Sequence, residues 1–240
     1  MLLRDDFLSL VAAVRQGRRI FANLRQALLY VLAVHVPMIG ASLLPLLVGA
    51  PPLLLPLHVM FLEFVIDPAC SLVFEAEGDG RDTMAEPPRP VHEHVLGARH
   101  IAMALVQGAI ALGVAVATYA LARLDGAGDA AQRTATVSAI VLMNLALIVH
   151  DRSSERSLRA RLAPTNAMLW AVTGGTLLAW GTVLAVPALR ALFRLDAPSL
   201  ALALWLLPSV ALGTVALELF GRWSRGGATR PARRSTAARR

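Results

Sequence analysis

The chain has 240 residues, of which 56% are hydrophobic and only 16% are charged. A water-soluble domain carries roughly 25% charged residues, so the composition excludes an ordinary soluble enzyme and favours membrane-spanning helices. The formal net charge is +7, and seven arginines lie within residues 222–240. A basic tail suits nucleic acid, anionic lipid or simple solvation. Beside so much apolar sequence we favour the lipid surface or disorder, and we expect no nucleic-acid partner.

Residues 1–26 predict an amphipathic helix. Apolar residues recur there at spacings of three, four and seven, with arginines between them. No proline and no glycine-rich break precedes residue 27, so we expect a cytoplasmic stalk helix that continues into the membrane. The alternative is an interfacial helix that lies on the membrane surface.

Six apolar blocks follow, each near the roughly 20 residues that a helix needs to cross a bilayer. They cover residues 27–48, 53–74, 101–122, 134–149, 167–189 and 199–220. The sequence therefore predicts an all-α, polytopic membrane bundle of six transmembrane helices within residues 27–220, preceded by the stalk. A GAPP turn at residues 49–52 makes the first two spans an antiparallel hairpin. Residues 221–240 are predicted to be a basic, disordered cytoplasmic tail.

The arginines predict the orientation of the bundle. If both termini are cytoplasmic, 19 of the 23 basic residues fall in the inner segments and four fall in the outer loops. This asymmetry follows the positive-inside rule. We expect a multi-pass protein of the plasma (inner) membrane with both ends in the cytoplasm.

The second block carries the most unusual chemistry, in the stretch FLEFVIDPACSLVFEAE that begins at residue 61. Glu63 lies near the middle of the span, where a charge costs on the order of 3 kcal/mol. Asp67 follows one helical turn later on the same face. Pro68 breaks the helical hydrogen bonding and frees the backbone carbonyl of Phe64. Two carboxylates and a carbonyl oxygen form a plausible site for a hard cation.

Polar groups elsewhere in the membrane are fewer. Pro37 is a second helix-breaking residue, in the first span, and the hairpin allows nearby His35 to face the carboxylates as a ligand or a proton relay. Asn144 predicts an interhelical hydrogen bond, and Gly174 with Gly175 predicts close helix packing. No nucleotide-binding loop, zinc-protease motif, cysteine–histidine cluster or serine elbow occurs.

Three stretches carry a family resemblance. The run DDFLSLVAAVRQGRRIFANLRQALLYVLAVHVPMIG, the run LPLHVMFLEFVIDPACSLVFEAE and the element TMAEPPRP occur in this order. Together they resemble the C-terminal membrane region of P-type cation-transporting ATPases, in the calcium- and sodium-pump-like branch. The first run is similar to the segment that leads into the fifth transmembrane helix of the family, and the second is similar to the sixth helix.

The resemblance implies ion-ligand roles for particular residues. Asp67 matches the cation-binding aspartate of the family, whereas Glu63 stands where many members have a ligand asparagine. His35 stands where calcium-pump-like members have an asparagine, and Met38 stands where they have a glutamate. These departures leave the identity of the cation open.

The resemblance also implies what this stretch of sequence does not do alone. The phosphorylated DKTGT motif, the TGE loop and the GDGxND hinge of the family are absent from it. We therefore expect no ATP hydrolysis from this chain alone, no cofactor on it besides the transported cation, and Mg-ATP only in a complete pump. The expected partners are the lipid bilayer and the N-terminal half of a P-type ATPase. The alternatives are a standalone ion pathway, a regulatory subunit or a non-functional pump fragment.

Overall fold

The structure is a computed structural model that describes residues 7–76, 95–152 and 166–226. Within these ranges the regular elements are seven α-helices and one π-helical segment. They are α1 (Phe7–Leu47), α2 (Pro56–Pro68), the π segment (Ala69–Val73), α3 (Ala98–Leu124), α4 (Asp129–Arg152), α5 (Ala167–Ala185), α6 (Pro187–Phe193) and α7 (Leu200–Gly226). The TMAEPPRP element and most of the basic tail lie outside the described residues.

Within the part of the chain that the structure describes, six stretches are long and apolar enough to cross a membrane, as predicted. They are Ser9–Leu47, Pro56–Val73, Ala98–Leu124, Asp129–Asp151, Ala167–Ala185 and Leu200–Ser224. The all-α membrane bundle with six spans is therefore confirmed.

Helix α1 is continuous over 41 residues, so no break separates the amphipathic segment from the first span. Pro37 and Pro45 lie inside it. Each removes one backbone donor from the helical ladder without ending the helix. Gly49 then adopts the positive φ of 66° in the turn toward α2, a conformation that glycine reaches without steric cost.

The fifth span ends earlier than the hydropathy predicts. Helix α5 stops at Ala185, Val186 is extended, and Pro187 begins the short helix α6. A proline disfavours the helical conformation of the residue before it and opens a new helix readily. The fourth span, in contrast, is longer than predicted, because α4 includes the polar turn from Asp129 to Arg133.

The bundle has two packed groups. In one group, α3 and α4 pack against each other and against both α1 and α7; the other group comprises α2, the π segment, α5 and α6. Three glycines allow close approach in the first group; a methyl group on Gly40 would collide with the side chain of Leu112. A methyl group on Gly108 would collide with the carbonyl of Ala33, and one on Gly213 would collide with Val114. The close packing predicted for Gly174 and Gly175 is not found among the described residues, where a methyl group on either would meet nothing within 4 Å.

Candidate intramembrane cation site

The structure brings two of the predicted site residues together across the α1–α2 hairpin. The His35 Nε2 atom lies 3.5 Å from Glu63 Oε1, and each side chain keeps about two-fifths of its surface exposed (39% and 40%). The His35 Nδ1 atom lies 2.7 Å from the carbonyl oxygen of Val31. A carbonyl oxygen can only accept a hydrogen bond, so Nδ1 carries a proton.

This geometry determines how many protons the His35–Glu63 pair needs to form a hydrogen bond. With Nδ1 protonated, a neutral ring presents a bare nitrogen at Nε2, and an ionised carboxylate opposite it can only accept. A hydrogen bond between them therefore needs one additional proton, held by either Nε2 or the carboxyl group. The pair can hold a proton between its two groups, or Glu63 can offer its oxygens to a cation. One site thus suits two alternative occupants.

Asp67 lies one helical turn beyond Glu63, at the point where the backbone changes. Pro68 cannot donate to the carbonyl of Phe64, and the next N–H, that of Ala69, donates to the carbonyls of Val65 and Ile66. The π segment begins at once, with the longer-range bond from Phe74 N to Ala69 O. Such π-helical turns occur frequently at functional sites. The local sequence thus leaves the Phe64 carbonyl beside Asp67, without the donor that Pro68 would otherwise supply.

The acidic pair sits at the depth expected for a transmembrane site. Glu63 comes seven residues after Pro56 and Asp67 eleven, which places them about 10 Å and about 16 Å along the helix. A bilayer core is about 30 Å thick. With the span counted from Pro56, this rise predicts both carboxylates near the middle of the bilayer core.

The predicted ligands do not form a closed cage. Among the residues that the structure describes, no group of three or more His, Cys, Asp or Glu side chains is close enough to hold a metal ion. His35 and Glu63 meet, whereas Asp67 is exposed on the outer face of α2 together with Phe64, which is 76% exposed. These residues supply part of a ligand set and leave one side of it open.

His58, whose place near the outer end of the second span predicts an interfacial or access residue, is instead buried, and Asn166 is a buried polar residue that sequence reasoning missed. His58 is fully buried and bonds at both ring nitrogens. Asn166 begins α5, and its side chain accepts a hydrogen bond from the backbone of Leu169. Asparagine just before an apolar run is a helix-capping signal, so this role could have been found from the sequence.

Asn144 corrects another prediction. It is fully buried, and in the described ranges neither its amide nitrogen nor its amide oxygen has a hydrogen-bond partner. The predicted interhelical hydrogen bond is therefore wrong. The neighbouring buried positions on α4 are apolar, including Val141 and Leu147, and they offer the amide no donor or acceptor.

Known proteins are similar to this chain in sequence. The family model described as "Cation transporting ATPase, C-terminus" matches residues 51–223. The chain is 25% identical over 201 residues to "Calcium-transporting ATPase 1" of Yarrowia lipolytica, covering 83% of this chain and 21% of that protein. It is 27% identical over 196 residues to "Calcium-transporting ATPase" of Bacillus subtilis, covering 81% of this chain and 22% of that protein.

A shorter match has a higher sequence identity. Over 111 residues the chain is 35% identical to "Sodium/potassium-transporting ATPase subunit alpha" of Hydra vulgaris, which covers 45% of this chain and 10% of that protein. The chain thus spans about a fifth of the length of the calcium-transporting relatives that it matches.

Proposed function

The chain belongs to the family of P-type cation-transporting ATPases, through their C-terminal membrane region, and from this premise we propose that it holds the intramembrane cation site of an ATP-driven transporter. The ligands in this proposal are Glu63, Asp67 and the backbone carbonyl of Phe64, with His35 as the exchanging partner of Glu63. The cation enters as cargo rather than as a resident cofactor.

The observation that carries the proposal is the His35–Glu63 contact at mid-membrane depth. A carboxylate there costs on the order of 3 kcal/mol unless it finds a partner. The 3.5 Å contact with His35 would supply such a partner when no cation is bound, with one proton shared between the two groups. Displacement of that proton by a cation would free His35 and leave Glu63 as an oxygen ligand. The calcium-transporting relatives favour a divalent cation as the first ion to test.

The open side of the site favours a partner polypeptide. Met60, Phe64 and Asp67 lie on one exposed face of α2, and an acid that faces lipid is expensive. We propose that the N-terminal half of a P-type ATPase covers this face and completes the ligand set. That half would also supply Mg-ATP binding and phosphorylation, which we do not assign to this chain alone.

The positive-inside rule supports the proposed orientation. With both ends of the chain in the cytoplasm, α1 projects its arginine-bearing first half toward the phosphorylation domain of the pump. We place the assembly in the plasma (inner) membrane. Residues 1–26 then form the predicted cytoplasmic stalk.

The proposal is tested by co-expressing this chain with an N-terminal half that carries the phosphorylation domain. We expect cation-stimulated ATP hydrolysis only when both halves are present. Asp67→Asn should lower the apparent affinity for Ca²⁺ at least about tenfold, as expected when a ligand oxygen is lost. Asp125→Asn, which removes a carboxylate from the turn after α3, is the matched control and should leave the affinity unchanged.

Two results would contradict the ligand assignment. One is stimulated ATP hydrolysis that Asp67→Asn leaves intact. The other is Ca²⁺ flux through liposomes that contain the purified chain without ATP, which would support a passive ion pathway instead.

A further inference from the structure

Buried polar side chains hold the backbone at both ends of the unit formed by α2 and the π segment. We call His58 the outer clamp and Asn166 the inner clamp. The carboxylates Glu63 and Asp67 lie between the two clamps along the chain. Nothing in the proposed ligand chemistry accounts for either clamp.

The outer clamp bonds at both ring nitrogens. The backbone N–H of Leu55 donates to His58 Nδ1 over 3.0 Å, and His58 Nε2 lies 2.9 Å from the carbonyl oxygen of Phe193. Since Nδ1 accepts and the carbonyl can only accept, Nε2 carries the proton and donates. The ring of His58 also packs against that of Phe193, with centroids 5.6 Å apart. His58 thus ties the first turn of α2 to the end of α6.

Aromatic contacts carry the outer clamp into the rest of the bundle. Phe61, one turn after His58, packs against both Phe193 and Trp180. Trp180 in turn donates its indole N–H to Ser138 on helix α4, over 3.1 Å. These contacts therefore connect the outer half of α2 to α4, the most deeply buried of the described helices.

The inner clamp uses both ends of one amide. Asn166 Nδ2 donates to the carbonyl oxygen of Val73 over 3.0 Å, while its Oδ1 accepts the backbone N–H of Leu169 over 3.1 Å. Val73 is the last residue of the π segment. Asn166 therefore starts α5 and fixes the inner end of the α2 unit with the same side chain.

Between the clamps, α2 is packed on one side only, through the buried side chains of Leu62, Val65 and Ile66. Met60 and Phe64 are 71% and 76% exposed, and Asp67 is exposed beside them. A helix that is packed on one side can rotate or slide unless its ends are fixed. The 3.5 Å contact between His35 and Glu63 would be lost after a small displacement of either kind.

We propose that His58 and Asn166 are positioning residues that set the rotation and height of Glu63 and Asp67, and thereby the cation affinity of the site. This inference rests on the proposed function. Neither clamp touches the cation. Outer-shell hydrogen bonds that orient ligands typically change metal affinity about 10–100-fold when they are removed.

The experiment compares clamp variants of the full chain in lipid nanodiscs, with Ca²⁺ titration and thermal unfolding measured on the same samples. His58→Phe keeps a ring against Phe193 and removes both hydrogen bonds, whereas His58→Gln retains a donor and an acceptor. Asn166→Ser keeps an oxygen to cap α5 and removes the donor to Val73. Thr134→Val is the control, because it removes the partly buried hydrogen bond that Asp196 N donates to Thr134 Oγ1, which involves no residue of α2.

We expect His58→Phe and Asn166→Ser to weaken Ca²⁺ binding at least about tenfold at unchanged binding capacity. His58→Gln should recover part of the affinity, and Thr134→Val should lower only the unfolding temperature. Glu63→Gln should lower the capacity itself. The proposal is overturned if both clamp variants lower the unfolding temperature but bind Ca²⁺ within about twofold of wild type.

Hydrogen exchange separates failure of this proposal from failure of the proposed function. If the wild-type chain binds no Ca²⁺, the assignment of the cation site to this chain fails. The clamps are then judged by amide exchange over residues 59–66. Faster exchange in His58→Phe than in Thr134→Val supports a clamp, and equal exchange overturns it.

Discussion

Helices α4 and α2 differ sharply in how the protein surrounds them. Of the apolar stretch in α4, 78% is buried within the bundle, whereas the figure for α2 with the π segment is 35%. The buried helix carries no proposed cation ligand, and the half-open helix carries both carboxylates. Close packing and ligand exchange make opposite demands, since a fully enclosed carboxylate cannot release one occupant and accept another. The difference indicates that α4 holds the bundle together, and under the proposed function the more open α2 presents the ligands.

The largest expected effect follows from truncating the buried helix. Leu147 in α4 is fully buried, whereas Met60 in α2 is 71% exposed. Leu147→Ala should lower the free energy of unfolding by about 2–5 kcal/mol, because it leaves a cavity. Met60→Ala should change it by no more than about 0.5 kcal/mol. Denaturant titration in mixed micelles measures both, and equal losses would remove the distinction between the two helices.

A smaller loss is expected at the α1–α3 crossing, within the same packed group. Gly108→Ala places a methyl group against the carbonyl of Ala33, and overpacking of this kind costs about 1–3 kcal/mol. Gly113→Ala on the same helix meets nothing within 4 Å and should be neutral or stabilising by up to about 1 kcal/mol. A similar loss for the two variants, in the same titration, would show that the close approach does not matter.

The smallest effect has the opposite sign. A buried amide without a hydrogen-bond partner costs about 1–3 kcal/mol, so Asn144→Val should raise the free energy of unfolding by about 1 kcal/mol. Ser138→Ala, which removes the acceptor of the Trp180 indole, is the control and should lower it. A loss of stability in Asn144→Val would mean that the amide is engaged in the folded protein after all, and α4 would then carry more than packing.

The spans could be predicted from the sequence because hydropathy and length are properties of single segments. The contact between His35 and Glu63 could also be predicted from the sequence, since a short turn between two spans forces an antiparallel hairpin. What the sequence did not reveal depends on three-dimensional neighbours. Asn144 looked like an interhelical donor, yet among the described residues its amide has no hydrogen-bond partner. Gly174 looked like a packing glycine, yet the close approach occurs at Gly108.

The clamps illustrate the same limit more directly. His58 bonds to the carbonyl of Phe193, which is 135 residues away along the chain. No local sequence pattern can predict a hydrogen-bond partner that is so far away along the chain. Only one of the two roles of Asn166 could be predicted from the sequence, because its capping of α5 is local whereas its bond to Val73 is not. Local chemistry thus predicted the carboxylates, and the fold supplied the groups that hold them in place.

The uninterrupted length of α1 has a mechanical consequence. Between Phe7 and His35 run 28 residues of helix without a proline, a rod about 42 Å long. A tilt of about 5° about one end of a rod of that length moves the other end by about 4 Å. This displacement exceeds the 3.5 Å that separates His35 from Glu63. A tilt of this size is therefore large enough to separate the two groups, so movement of the N-terminal half of α1 would be transmitted to the carboxylates.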